Sequence, residues 1–173
     1  HSHEDHYGAV LDLWPAFDKP VYATAFTAAM LSAKRASDNI VDDVAVRRME
    51  VRKPFAVGPF TVEAINVAHS IPESCALAIT TPVGRVIHTG DWKLDPSPIA
   101  AAPTDEARLR ALAGEGIPIA LVCDSTNALK DGTSPSEDEV AATLAGLIAY
   151  SPHRVAVTTF ASNVGRVISV ARA

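Results

Sequence analysis

The sequence has few of the residues that mark a disulfide-rich or membrane-spanning protein. It contains two cysteines, Cys75 and Cys123, each in an apolar stretch without CxxC spacing. We therefore expect free, buried thiols in a reducing compartment, with a cytoplasmic location, rather than a disulfide or a thiolate metal site. No apolar run approaches the ~20 residues that cross a bilayer, so no membrane association is expected. The longest run, residues 117–123, is predicted to be a buried strand.

Basic residues are also in the minority. Fifteen lysines and arginines are set against twenty aspartates and glutamates, which gives 173 residues a net charge of −5. A nucleic-acid-binding protein usually carries a basic face that displaces counterions, so this balance argues mildly against one. Bound divalent cations would nevertheless change the local field whatever the total charge.

Helical and strand-like patterns alternate along the chain. Helices are predicted over residues 7–14, 26–39, 104–116, from 134 onward and over 163–173, and strands over 19–25, 46–52, 60–69, 75–81, 85–91, 117–125 and 154–162. Residues 82–84 should form a hairpin turn. Thr104 is the predicted N-cap of one helix and Ser134 of the next, with Glu137 completing a capping box. The mixture predicts a layered α/β or α+β fold with functional residues in loops at strand ends.

Histidine is concentrated at one point of the chain. Three of the six histidines lie in the segment HSHEDH, residues 1–6, together with two carboxylates. An extended segment would point His1 and His3 to the same side, while Asp5 and His6 would follow in a turn and face a second point. Neutral imidazoles and carboxylates are ligands of zinc and similar divalent ions. A purification tag lacks the interposed acidic residues, and a solvated turn does not explain three histidines.

Two later strand ends carry further candidate ligands. His69 ends the predicted strand 60–69 and Asp91 ends the predicted strand 85–91. Either residue alone would be interpreted as a structural hydrogen-bonding group. Together with the first segment they predict a metal site built from three parts of the chain.

Five motifs, in order, resemble those of a known family. HSHEDH, AHSIPES (68–74) and HTGDWKLD (88–95) resemble the metal motifs of the metallo-β-lactamase superfamily, and CDSTNA and TTFASNVGR narrow the resemblance to the ribonuclease J branch. That branch carries a β-CASP domain inserted in the metallo-β-lactamase fold. The resemblance implies a partial αββα sandwich over residues 1–130 and the beginning of a β-CASP domain over 131–173. Since family members have further segments before and after these motifs, the chain is expected to be an internal fragment.

The resemblance also implies a role for each candidate ligand. His1, His3 and His69 would bind one divalent ion, Asp5 and His6 a second, and Asp91 would bridge the two. Zn²⁺ is the expected metal and Mn²⁺ the alternative, since the ligand types suit both. Such a pair of ions would activate a water for in-line attack on an RNA phosphodiester. Asp5, as a proton acceptor, and Asp91 are the expected catalytic residues.

Three more residues match family segments near the substrate. Asp124 matches an acidic residue at the edge of the active site, and Ser162 and Asn163 match a helix start near the RNA path. A turn-capping role explains Asp124 almost as well. An ordinary helix N-cap explains Ser162 and Asn163 equally well. Both interpretations stay open.

The implied function is a ribonuclease with endonucleolytic and 5′-to-3′ exonucleolytic modes, with RNA as partner and a homo-oligomeric longer protein. One alternative is a thioester or lactone hydrolase with the same ions, but those enzymes lack the CDSTNA and TTFASN segments. Another is a non-catalytic metal- or RNA-binding paralogue, against which the intact ligand set argues. With only Asp5, His6 and Asp91 for the second ion, we expect this chain alone to bind the first ion more tightly and to have little or no nuclease activity.

Overall fold

The computed structural model describes residues 1–40 and 44–173. The helices in these residues are α1 (Glu4–Tyr7), α2 (Val10–Phe17), α3 (Ala25–Ser37), α4 (Glu106–Ala113), α5 (Glu137–Ala149) and α6 (Val164–Arg172). The strands are β1 (Val21–Ala23), β2 (Val46–Arg48), β3 (Phe55–Val57), β4 (Phe60–Asn66), β5 (Cys75–Thr81), β6 (Gly84–His88) and β7 (Ile119–Val122). Within the described part of the chain, no helix has the length and apolar character needed to cross a bilayer.

A five-stranded sheet with the order β3-β4-β5-β6-β7 lies at the centre of the fold. Strands β3 to β6 are antiparallel neighbours, and β7 pairs parallel with β6 after a connection that contains α4. The predicted hairpin turn is confirmed, since Thr81 pairs with Gly84 and its hydroxyl accepts the Gly84 amide at 3.1 Å. A separate two-stranded parallel sheet joins β1 to β2.

The principal core lies between the sheet and α4. Its buried side chains are Ile65, Val67, Ala76, Ala78, Ile87 and Leu112. Each large apolar side chain contributes about 1.5–3 kcal/mol when it is fully buried. Trp92 is half-buried and packs against this cluster, so the loop that follows β6 is held to the core. A second cluster around Tyr7, Leu11 and Leu31 joins the N-terminal helices.

The predicted start of the fifth helix is wrong by two residues. The N-cap is Ser136, not Ser134: the Ser136 hydroxyl accepts the Glu139 amide at 3.2 Å, and the Glu139 carboxylate accepts the Ser136 amide at 2.9 Å. Both serines fit the pattern S-x-x-E of a capping box. The carboxylate of Glu137, which the Ser134 box requires, instead binds two basic side chains elsewhere.

The predicted cap of the fourth helix is also wrong. Asp105, not Thr104, caps α4, since Asp105 Oδ1 accepts the Arg108 amide at 3.0 Å. The Thr104 hydroxyl is engaged by backbone groups of two other loops. Gly114 lies directly after the helix.

Two predictions about strands fail. Residues 154–162 form no strand, because a strand requires a paired neighbour and none of the described segments pairs with them. Strand β7 forms, but all four of its residues are exposed, and Leu121 keeps 63% of its surface. Cys123, which follows β7, is exposed rather than buried, and both cysteines are free thiols. The apolar sequence of β7 predicts burial, but no described element covers this edge strand.

Candidate metal centre

Three separate segments bring four candidate ligands together at one edge of the sheet. Strands β4 and β6 run in the same direction, and His69 and Asp91 each lie three residues beyond the end of their strand. The N-terminal segment brings His1 and His3 to the same place. One ligand atom from each of these four residues can be chosen so that all lie within 4.8 Å of one another.

Asp91 lies at the centre of the contacts. Its Oδ2 is 3.2 Å from His6 Nε2, 3.6 Å from His1 Nε2 and 3.7 Å from His69 Nε2. On the other side of the cluster, His3 Nδ1 lies 3.1 Å from His69 Nε2. One carboxylate oxygen therefore faces three imidazoles, which is the arrangement expected around a cation that the groups share.

The N-terminal segment explains how neighbouring residues face different points. His3 is extended (φ −71°, ψ 147°), and α1 begins at the next residue, with the His6 and Tyr7 amides donating to the His3 carbonyl. This turn directs His6 back to Asp91. Asp5 stays apart, with 79% of its side chain exposed and its Oδ2 3.7 Å from His6 Nε2.

The loop that carries His69 is anchored on both sides. The Ser70 hydroxyl lies 3.3 Å from His3 Nε2, so it can fix the orientation of the ring whose Nδ1 faces His69. The Glu73 carboxylate accepts the Phe26 amide at 2.7 Å, at the N-terminal end of α3, and Glu73 itself adopts a left-handed conformation with φ +55°. An anionic group at a helix N-terminus is stabilising.

Asp91 is directed by the residues on either side of it. Gly90 has φ +59°, and a Cβ at this position would lie 3.4 Å from the Cys75 carbonyl oxygen, so glycine suits the turn both in conformation and in size. Trp92 packs into the core on the other side. The sequence TGDW therefore places the carboxylate between a tight turn and a half-buried tryptophan that packs against the core.

The chemical state of the cluster suits a divalent metal ion. Burial, followed by the neighbouring His3 ring, lowers the pKa of His69 to about 4, and burial also lowers the pKa of His3. Both shifts favour the neutral imidazole, the form that binds metal. His1 Nε2 is buried without a hydrogen-bond partner among the described residues, and a buried polar atom of this kind calls for a partner. Three imidazoles and one carboxylate fit the donor set of zinc and related ions.

Asp124 lies beside the Asp91 loop. Its Oδ1 accepts the Thr126 hydroxyl at 2.6 Å and the Thr126 amide at 3.0 Å, which is the geometry of a turn cap. These hydrogen bonds, the hydroxyl first, hold the pKa of Asp124 below its usual value. Asp124 and Trp92 line a cavity of about 460 Å³. None of the four clustered ligands is among the described residues that line it.

The structure places Ser162 and Asn163 at the start of α6. Asn163 is the N-cap, and its side-chain oxygen accepts the Arg166 amide at 3.0 Å, while Ser162 is exposed. The observed hydrogen bond of Asn163 is therefore that of a helix N-cap.

Sequence reasoning missed two residues that support the ligands. Ser70 contacts His3, and Thr104 binds the backbone of both ligand loops. The position of Ser70 next to His69 was a usable signal. Thr104 gave none, because a threonine before an acidic residue fits a helix cap equally well.

Comparison with known proteins identifies the family. Residues 1–113, more than half of the chain, match the beta-lactamase superfamily domain. Ribonuclease J of Sinorhizobium meliloti is 54% identical over 173 residues, which are 100% of this chain and 30% of that protein. Ribonuclease J of Helicobacter pylori is 39% identical over 174 residues, covering 96% of this chain and 24% of that protein. The chain thus spans between about a quarter and a third of these curated relatives.

Solved structures show the same fold. A protein of unknown function from Enterococcus faecalis has a TM-score of 0.64 at 18% identity, covering 89% of this chain and 39% of that one. Unliganded yeast PDE1 has a TM-score of 0.56 at 14% identity, covering 99% of this chain and 60% of that one. The predicted α/β fold of the metallo-β-lactamase type is confirmed, as is the resemblance to ribonuclease J. The chain belongs to the beta-lactamase superfamily.

Proposed function

We propose that this chain carries the metal centre of a hydrolase that cleaves RNA phosphodiesters. The observation that carries the proposal is the convergence of four candidate ligands from three segments: His1, His3, His69 and Asp91. All 173 residues of this chain are similar to a part of ribonuclease J of Sinorhizobium meliloti. The net charge of −5 is compatible with an RNA substrate if cations at this centre supply the local positive field.

Two metal sites share Asp91 in this proposal. His1, His3 and His69 hold the first ion, and the short distances among their nitrogens support this set. Asp5 and His6 hold the second ion, supported by the 3.2 Å contact between His6 and Asp91. Zn²⁺ is the proposed metal, with Mn²⁺ as the alternative that the same ligands accept.

Different residues of the chain have different roles in the proposed reaction. Bound divalent ions would polarise a phosphoryl oxygen and lower the pKa of a water that attacks phosphorus. Asp91 keeps the two ligand sets together through one carboxylate oxygen. Asp5, exposed beside His6, accepts the proton of the attacking water. Ser70 holds the His3 ring in place.

The remaining assignments follow the resemblance. Asp124, Ser162 and Asn163 lie on the substrate side in this proposal. Residues 1–130 form the metallo-β-lactamase part and residues 131–173 begin a β-CASP domain. A longer protein with this segment would act on RNA with endonucleolytic and 5′-to-3′ exonucleolytic modes, as a cytoplasmic homo-oligomer.

Calorimetric titration of the chain with Zn²⁺ tests the metal centre. One site should bind more tightly than a second, and His69→Ala should remove the tighter one. His153→Ala is the matched control, since His153 is exposed and lies outside the cluster. Absence of binding, or two equally tight sites, would contradict the proposal.

The substrate is tested in a protein of the relatives' length that contains this segment. The protein is incubated with 5′-monophosphorylated RNA, DNA of the same sequence and a thioester, in the presence of Zn²⁺ or Mn²⁺. We expect cleavage of the RNA, lost in Asp91→Asn. Hydrolysis of the thioester alone would replace the nuclease by the thioesterase alternative, and metal binding without any hydrolysis would favour a non-catalytic paralogue.

A further inference from the structure

Thr104 connects the two loops that carry His69 and Asp91. Its hydroxyl accepts the Ala68 amide at 2.9 Å and donates to the Lys93 carbonyl at 2.8 Å. The Lys93 amide in turn donates to the Ala68 carbonyl at 2.9 Å. Two hydrogen bonds thus join the Thr104 hydroxyl to Ala68 and Lys93, and a third forms the backbone bridge between those two residues.

The sheet alone does not bring these loops together. Strand β5 lies between β4 and β6, and since neighbouring strands are about 4.8 Å apart, β4 and β6 are separated by about 10 Å. His69 and Asp91 each lie beyond the end of the ladder, where no strand pairing sets their distance. The bridge between Ala68 and Lys93 crosses this gap one residue before His69 and two residues after Asp91.

The hydroxyl of Thr104 has no competing role. Asp105 caps α4, so the helix does not need Thr104. Without the hydroxyl, the Ala68 amide would lose its partner, and an unpaired backbone group in a partly buried place is unfavourable. The loops would then relax by separating or by admitting water.

We propose that Thr104 is a positioning residue of the metal centre, whose hydroxyl sets the distance between His69 and Asp91 and thereby the affinity for a divalent cation. The inference rests on the proposed metal site. It assigns to Thr104 no contact with the ion or with substrate.

The test compares three variants of the full chain with the wild type, in titrations with Co²⁺ followed by visible absorption and by calorimetry. Thr104→Val keeps the shape but removes the hydroxyl, and should weaken affinity about 10- to 100-fold, the usual effect of losing an outer-shell group. Thr104→Ser keeps the hydroxyl and should restore the wild-type absorption spectrum and affinity. Thr81→Val is the matched control, since Thr81 makes similar backbone contacts in the β5–β6 turn.

Urea unfolding of the metal-free proteins separates positioning from stability. If Thr104→Val lowers stability but binds Co²⁺ with the wild-type affinity and spectrum, the inference is overturned. If Thr104→Val does not fold, Thr104→Ala, which leaves room for a water at the Ala68 amide, is judged by the same criterion. If the wild-type chain binds no Co²⁺ or Zn²⁺, the proposed metal centre itself fails and this inference falls with it.

Discussion

At the scale of single residues, Asp91 has the most demanding position. One oxygen of its carboxylate lies within 3.7 Å of three different histidines. The conformation of Gly90 and the packing of Trp92 fix that oxygen. A neutral side chain of the same shape would keep these contacts and lose the charge.

Asp91→Asn is therefore expected to reduce divalent metal affinity at least about tenfold, since even the loss of outer-shell partners of a metal site has an effect of that order. Calorimetric titration with Zn²⁺ measures the change. Asp12→Asn is the control, because Asp12 is exposed on α2 and outside the cluster. Equal affinities for Asp91→Asn and the wild type would exclude Asp91 as a ligand.

Glu63 offers a second test at this scale, away from the metal centre. Its carboxylate binds Arg108 through two hydrogen bonds of 2.8 and 2.7 Å, and only 7% of the residue is exposed. The hydrogen bonds from Arg108 lower the pKa of Glu63 from its ordinary value of 4.5. The contribution to stability is therefore complete above pH 4.5 and is lost as the pH falls through the lowered pKa.

Glu63→Gln should lower the free energy of unfolding at pH 7 by about 1–3 kcal/mol, because a charged hydrogen-bonded pair is broken in a poorly solvated place. Urea denaturation at pH 7 and pH 3 measures it, and the difference from wild type should shrink at the lower pH. Glu50→Gln is the control, since the exposed pair between Glu50 and Lys53 should contribute less than about 1 kcal/mol. A difference that grows at acid pH would contradict the assignment.

At the scale of secondary-structure elements, the start of α5 shows that one capping pattern can fit two neighbouring positions in the sequence. The segment SPSEDE contains two overlapping capping boxes. The structure uses the one at Ser136, because Glu137 is bound by Lys93 at 3.0 Å and by Arg166 at 3.2 Å. A contact with residues far away in sequence thus decides where the helix begins.

Ser136→Ala should destabilise the protein by about 1 kcal/mol through the loss of the N-cap. Ser134→Ala should change the free energy of unfolding by less than about 0.5 kcal/mol, the usual range for a surface position without such a feature. Urea denaturation of both variants compares them directly. If Ser134→Ala destabilised the protein more than Ser136→Ala, Ser134 would be the N-cap, as the sequence predicts.

At the scale of the whole molecule, a network of charges joins α5 and α6 to the loop after Asp91. Lys93 Nζ lies 2.9 Å from Asp95 and 3.0 Å from Glu137, which also binds Arg166. Burial would lower the pKa of Lys93, but the hydrogen bonds that its ammonium group donates to Asp95 and Glu137 outweigh burial and raise that pKa. The two predicted parts of the chain, 1–130 and 131–173, therefore contact each other close to the candidate metal centre.

Strand β6 contributes to the core whereas the edge strand β7 is exposed, and this difference gives a prediction at the same scale. Ile87 on β6 is 5% exposed in the core, whereas Leu121, its partner on β7, keeps 63% of its surface. Ile87→Ala should cost about 2–5 kcal/mol of folding free energy, and Leu121→Ala less than about 0.5 kcal/mol. Urea denaturation compares the two. A large loss for Leu121→Ala would show that β7 is covered in solution.

Much of this protein was predictable from sequence because the relevant signals are local. The strand-like run from Cys75 to Thr81 predicts β5, and the residues between Thr81 and Gly84 predict the hairpin. The ligand inventory was equally accessible, since HSHEDH has no common structural explanation. The expectation that His69 and Asp91 lie at strand ends was accurate to within three residues.

The sequence by itself determined most of the helices and strands and which side chains are available for a metal. Only the tertiary structure decided that four of them converge, that Asp5 stands apart, that Ser136 rather than Ser134 caps α5, and that an apolar strand stays exposed. The physical reason is competition for partners. The local sequence determines which partners a backbone group or a side chain can bind. Packing between distant segments determines which of these partners that group contacts.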